Sequence, residues 1–189
     1  ELNLLDDKDA THLAVPGKLA GTNFTNSLLI GHATTGTLDA AEKNTGVGID
    51  TLDALTSGDA NTALGYRAGS AMTAQGESVY VGVDAGYQTQ GGNNTAVGAY
   101  AFKSSNNANS YENTAIGSRA LHSAGASSAA LRNVALGRDA GYAITSGDYN
   151  VVLGYDSGDN ITTGSGNVII GTVDAAAVDS ARTLKIAGY

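Results

Sequence analysis

A chain of 189 residues with a formal charge of −8 holds 26 Gly, 1 Pro, no Cys and no Trp, and an apolar fraction of 42%. The acidity argues against nucleic acid or an anionic membrane as the main partner, because both select clustered Lys and Arg. No apolar run reaches the length of a membrane span, and without Cys there is neither a disulfide nor a thiolate metal site.

Residues 1–26 stand outside the pattern that dominates the chain and read as an N-terminal linker or shaft junction. Glu1 is neither an initiator Met nor the start of a secretory leader, which suggests a piece of a longer chain. Residues 27–189 read as one repeat domain, in which a polar residue, a short apolar strand and a glycine recur nine times. The copies include Ser27-Leu-Leu-Ile-Gly31, Asn61-Thr-Ala-Leu-Gly65, Ser78-Val-Tyr-Val-Gly82, Asn113-Thr-Ala-Ile-Gly117 and Asn167-Val-Ile-Ile-Gly171. The steps between closing glycines are 17, 17, 17, 16, 19, 20, 17 and 17 residues, and a further 17 reach Gly188 behind a degenerate tenth copy, Leu184-Lys-Ile-Ala. A short fixed period of this kind predicts a stacked solenoid.

Strand alternation sends Thr62 and Leu64 to one face and Asn61 and Ala63 to the other. Ile, Val or Leu always precedes the glycine, and Thr, Val or Leu stands two residues earlier, so this face is expected to fill the inside of each coil. The opposite face is mostly apolar but small (Leu29, Gly46, Ala63, Tyr80, Ala96, Ala115, Ala135, Val152, Ile169) and is then expected to need a second layer, most economically an identical subunit. Asn44, Asn61, Asn94, Asn113, Asn133, Asn150 and Asn167, with Ser27 and Ser78 as substitutes, are expected to stack into a structural ladder that turns the chain. After each glycine a second short strand is expected, with Ala68, Ala85, Ala101, Ala120 and Ala140 inward, followed by turn signals such as Ser146-Gly-Asp148. Two strands and two turns per coil would give an all-β rod of roughly 40 Å.

Candidate chemistry is sparse. His12, His32 and His122 lie far apart, no phosphate loop surrounds Gly17-Lys18, and the Gly-Asp pairs lack a calcium-binding nonapeptide, so neither a metal nor a cofactor is expected. The second residue after each glycine (Asp50, Arg67, Asp84, Tyr100, Arg119, Asp139, Asp156) forms a predicted charge column. Arg67 falls between Asp50 and Asp84, whereas Asp139 beside Asp156 breaks the alternation and is the pair to suspect in a glycoside hydrolase. The two longest periods insert residues over 103–112 and 122–132, and extra residues in a solenoid bulge from one flank where binding can be added. Lys103, Asn106, Asn107, Tyr111, Arg119, His122 and Arg132 are therefore the receptor-binding candidates, for a glycan or an acidic envelope polymer, the alternative being loops that are simply tolerated.

The repeated Asn-Thr-Ala-(Leu/Val/Ile)-Gly followed by x-x-Ala resembles the left-handed parallel β-roll repeats in the heads of trimeric autotransporter adhesins, and similar repeats of bacteriophage tail fibres. It covers about residues 27 to 171. The opening Glu1-Leu-Asn-Leu-Leu-Asp6 is similar to linker repeats of marine phage tail fibres. The resemblance implies a non-enzymatic homotrimer on a virion, touching other fibre segments or virion proteins and a host surface glycan. The alternative it implies is a bacterial adhesin head at the cell surface. An ice-binding solenoid is disfavoured by the expectation that Thr45, Thr62, Thr95 and Thr114 face inward.

Overall fold

The computed structural model describes residues 17–21, 24–31, 38–103, 110–124 and 129–187, with side chains from Thr25 onward. Among these residues there are twelve strands and no helix. They are β1 (Gly17–Gly21), β2 (Phe24–Ile30), β3 (Ala41–Glu42), β4 (Thr45–Val47), β5 (Thr62–Leu64), β6 (Val79–Val81), β7 (Thr95–Val97), β8 (Thr114–Ile116), β9 (Val134–Leu136), β10 (Val151–Leu153), β11 (Val168–Ile170) and β12 (Leu184–Ile186). β1 pairs antiparallel with β2, so the sheet reaches back to Gly17, ahead of the first motif copy. From β2 through β4 and on to β12 every neighbour is parallel and follows in chain order, which makes a β-solenoid of about nine turns. The register advances by one repeat at each step, with Ala63 opposite Tyr80 and Leu64 opposite Val81. β12 is the degenerate tenth copy, pairing Leu184 with Val168.

The alternation within each strand is as expected, but its sense is reversed. Ala63, Ala96, Ala115, Ala135, Val152 and Ile169 are buried, whereas Leu64 is 50% and Leu136 49% exposed. The asparagines decide the direction. Asn and the middle strand residue share a face, and the Asn amide is needed inside the coil, so Thr and Leu turn outward with the remaining face. The lumen has little room besides, because Leu52, Leu55, Met72, Phe102, Leu121, Ile144 and Ile161 enter it from the rest of the coil. Ala at the strand centre fits that space and a Leu-plus-Thr face would overfill it.

Each asparagine acts in two directions. Asn133 Nδ2 donates to the Gly147 carbonyl of its own coil at 2.8 Å and so closes the coil. It also donates to Asn113 Oδ1 in the coil before, at 3.2 Å. Asn133 Oδ1 in turn accepts from the backbone N–H and the side-chain amide of Asn150, at 2.9 and 3.1 Å. The same pattern joins Asn44 to Asn61 and Asn150 to Asn167, all fully buried. Ser78 continues the stack through its hydroxyl, which accepts from Asn94 N–H at 3.2 Å.

The second strand expected after each glycine is absent, and that stretch runs as turns. Its backbone is left-handed at Arg67 (φ 52°), Asp84 (φ 54°), Arg119 (φ 58°) and Asp139 (φ 58°), a conformation incompatible with a pleat. Ladder bonding continues regardless: Arg67 N–H donates to Ile49 O in the coil before, and Gly69 N–H to Ala85 O in the coil after, both at 2.9 Å. The predicted inward alanines Ala68, Ala85, Ala101, Ala120 and Ala140 are fully buried there.

Glycines make room for the largest core side chain. Tyr80 is the largest buried side chain, and its ring lies between Gly69 and Gly86; a Cβ on Gly86 would sit 2.5 Å from Tyr80 Cδ1. The motif glycines are required for another reason, since a Cβ on Gly137 would collide with the carbonyl of Gly154 stacked upon it.

Asn133→Ala leaves the Gly147 carbonyl and the Asn150 amide buried without partners. At about 1–3 kcal/mol per orphaned group, the expected loss is about 3 kcal/mol in urea unfolding, several times that of an exposed substitution such as Thr62→Ala.

Candidate functional site

The residue two after each glycine and the residue three further on share one corner of the coil, and stacking repeats these positions along the rod. On this corner Arg67 grips Asp84 with a two-pronged contact, Nε to Oδ1 and Nη2 to Oδ2, each 2.8 Å. The guanidinium lies over Tyr66 at 4.8 Å and over Tyr87 at 4.3 Å. Lys103 Nζ stands 3.5 Å from the same Asp84 and 4.9 Å from the Tyr100 ring centre. Asp84 is buried beneath its two cations.

A second cluster repeats this arrangement further along. Arg119 holds Asp139 at 2.6 Å, and Arg138 Nε reaches the other Asp139 oxygen at 3.1 Å. Arg119 lies over Tyr142 and Arg138 over Tyr155, at 5.6 and 5.5 Å. His122 stacks on Tyr142 with ring centres 5.0 Å apart and planes 16° apart. Burial, then the charges of Lys103 and Arg119, lower the His122 pKa below the ordinary histidine value. Tyr142, Tyr155, Asp156 and Asp159 face one another across an open cleft of about 430 Å³ floored by the Arg119–Asp139 pair.

Asp159 is the perturbed acid of this cleft. Partial burial, then its hydrogen bond and charge contact with Asp174, and then the charges of Asp156 and Asp139, push its pKa up to about 6. Arg119 and Arg138 both lie against Asp139, at 2.6 and 3.1 Å, so in the Asp139–Asp156 pair suspected from sequence one carboxyl is occupied by ion pairing. No group of three or more His, Cys, Asp or Glu among the described residues is arranged to hold a metal ion.

The receptor-binding candidates separate into two groups. Lys103, Arg119 and His122 belong to the corner just described. Arg132 sits where the chain re-enters the strand, bonded to Glu112 at 2.6 Å and to the Tyr149 hydroxyl at 2.6 Å. Tyr111 lines a polar groove of about 550 Å³ with Lys43, Asp59 and Glu77. Asn106 and Asn107 lie outside the described residues. Sequence reasoning missed Tyr66, Tyr87, Tyr142 and Tyr155. The signal was present for Tyr87 and Tyr142 in the column three residues beyond the charge column (Tyr87, Lys103, His122, Tyr142, Asp159), and for Tyr66 and Tyr155 in the position directly after the glycine.

No family model matches the chain, and neither a curated protein nor a solved structure matches it. Among the described residues no helix is long and apolar enough to cross a membrane.

Because its folded pKa of about 6 exceeds the ordinary value, Asp159 binds its proton more tightly in the folded chain, so its charge destabilises the fold above that pH. Asp159→Asn is expected to raise the melting temperature at pH 8. The gain should shrink as the pH falls through 6 and vanish near the unfolded value of about 4. An equal gain at both ends of a calorimetric pH series would contradict this assignment.

Proposed function

We propose that this chain is a structural and adhesive module of a viral tail fibre: a homotrimeric left-handed β-roll that stiffens the fibre and contributes to host surface attachment. The observation that carries the reading is the outward face of the strands. Val47, Leu64, Val81, Val97, Ile116, Leu136, Leu153 and Ile170 form one column, and Thr or Val residues two positions earlier form the next. None of these aliphatic side chains is buried within the chain. A straight apolar stripe of this length is rare on a soluble monomer and marks a contact surface.

A second copy of the same stripe is its natural cover, since an identical straight column meets it without a register error. The contact surface is thus the opposite of the one anticipated from sequence, where the alanine face was assigned to the neighbour. The stripe supports self-association, and the repeat resemblance supplies the number three. The partners in this reading are the chain itself, other fibre segments or virion proteins, and a host surface glycan; the location is the virion.

The head of a bacterial trimeric adhesin at the cell surface fits the same geometry. The opening Glu1-Leu-Asn-Leu-Leu-Asp6, which tips the choice toward a fibre, lies outside the described residues. The ion pairing of Asp139 by two arginines favours a structural role for that residue over a catalytic one. The reason for setting ice binding aside changes, because Thr45, Thr62, Thr95 and Thr114 stand outward. They make up only four of the eight positions in their column from β4 to β11 and run beside bulky aliphatics, a composition suited to burial against protein.

Light scattering of the purified chain in native buffer is expected to give three times the chain mass. Leu64→Asp with Leu136→Asp is expected to yield a monomer that keeps the β-type circular dichroism of the parent, because both side chains point out of the coil. A stable wild-type monomer would overturn the proposal, and loss of the fold in the double variant would refute the outward assignment.

A further inference from the structure

The corner that carries Arg67, Asp84, Arg119 and Asp139 has a feature that register-setting does not require. An aromatic ring stands on each of six consecutive coils: Tyr66, Tyr87, Tyr100, His122, Tyr142 and Tyr155. Contacts on this corner link them in two runs, Tyr66 to Tyr100 and His122 to Tyr155. Arg67 bridges Tyr66 and Tyr87, Lys103 bridges Tyr87 and Tyr100, His122 stacks on Tyr142, and Arg119 and Arg138 join Tyr142 to Tyr155 through Asp139. An ion-pair ladder alone would gain from covering these rings. Instead Tyr66 is 45% and Tyr155 51% exposed, with Tyr100 and Tyr142 also open to solvent.

The side chains between the rings are polar, and four cations, Arg67, Lys103, Arg119 and Arg138, are matched in number by four carboxylates, Asp84, Asp139, Asp156 and Asp159. All four cations already lie against a carboxylate or a ring. A polyanion would gain little from such a surface, and an apolar partner would strand its charges. What suits it is a ligand with apolar C–H faces for the rings and hydroxyl edges for the carboxylate and guanidinium groups. A sugar has both, and recognition sites of this kind combine aromatic walls with a few fixed polar groups.

We propose that this corner is a linear binding track for a neutral, extended polysaccharide, with its principal subsite in the cleft between Tyr142 and Tyr155. The rings recur once per coil, at a strand spacing of about 4.8 Å, so six coils span about 24 Å along the rod. One coil rise is close to the length of one sugar ring in an equatorially linked chain. The polymer lies parallel to the rod axis, with successive sugars meeting successive coils. The cleft anchors it because there the two tyrosines flank Asp156 and Asp159, whose oxygens accept from vicinal hydroxyls. This inference rests on the attachment reading only for where such a polymer would come from. The track itself is a property of one chain.

The test is isothermal titration of the protein in its native oligomeric state with soluble neutral oligosaccharides: N-acetylglucosamine, glucose and mannose oligomers of three and six units. Polygalacturonate serves as the acidic control. At least one neutral series is expected to bind, the hexamer more tightly than the trimer, and polygalacturonate not to bind. Tyr155→Ala is expected to weaken both lengths about tenfold. Tyr66→Ala, at the far end, should weaken the hexamer and leave the trimer unchanged. Equal melting temperatures for these variants and the wild type separate lost contact from lost fold, and Tyr155→Phe should bind nearly as well as wild type. Failure of every neutral oligomer to bind overturns the track, as does binding indifferent to Tyr155→Ala or stronger for polygalacturonate. A trimer that binds no sugar keeps the module and loses the track, whereas a monomer that binds loses the trimer and keeps the track.

Discussion

The buried asparagine sets the terms on which the rest of this solenoid is built. A coil of about 17 residues has to return to its start with a carbonyl from its final turn pointing into a lumen where no strand can meet it. The Asn side chain supplies the missing donor, as Asn150 does for Gly164 O at 2.9 Å, and its oxygen then satisfies two donors of the next coil. An amide is the only neutral side chain able to donate and accept in this way. Because every group is fully buried, each unmade bond would cost about 1–3 kcal/mol, so identity at this position is enforced more strictly than at any strand position. Ser27 and Ser78 show the minimum that is tolerated, an oxygen that accepts from the next coil without an amide to close its own.

That constraint also explains where sequence reasoning went astray. Periodicity, strand position, the stacking of equivalent residues and the inward alanines after the glycine were all legible, because spacing alone encodes them. The direction of each strand was not. Leu64 and Leu136 look like core residues by hydrophobicity and Ala63 and Ala135 like surface filler. Only the requirement that Asn61 and Asn133 reach inward breaks the tie, and it breaks it toward alanine. The second strand was misread for a different reason. Left-handed backbone at Arg67, Asp84 and Arg119 carries no glycine signal, and the cost of about 1–2 kcal/mol per residue is offset by hydrogen bonds to the neighbouring coils.

The left-handed corner is also what brings the charged and aromatic side chains together. A strand would have sent alternate residues to opposite faces, leaving Tyr66 and Arg67 on different sides. In the turn, Arg67 instead folds back over Tyr66 and across to Tyr87, while reaching Asp84 in the next coil. The candidate residues chosen from sequence followed the insertions, and those flank two separate corners. The corner richest in interactions depends on regular columns rather than on extra residues, so it was visible only as a stack.

Each strand from β4 to β12 is only three residues wide, and its middle residue belongs to the lumen. The two flanking positions are therefore free of the demands of the single chain. On a solvated face such positions drift toward polar residues, as the outer sides of antiparallel sheets do. Here the position before each glycine is Ile, Val or Leu in every full copy, although in no copy is its side chain fully buried within the chain. Exposed β-branched and aliphatic rows are an aggregation hazard that soluble chains ordinarily break with a charge. Lys185, at the inward position of β12, shows that this chain does place a charge in a strand, where its ammonium bonds Asp174 O at 2.7 Å. A stripe left unbroken across eight strands is what the proposed self-association would cover. In the proposed self-association, in-register stacking of the coils would let another copy meet the stripe along its whole length.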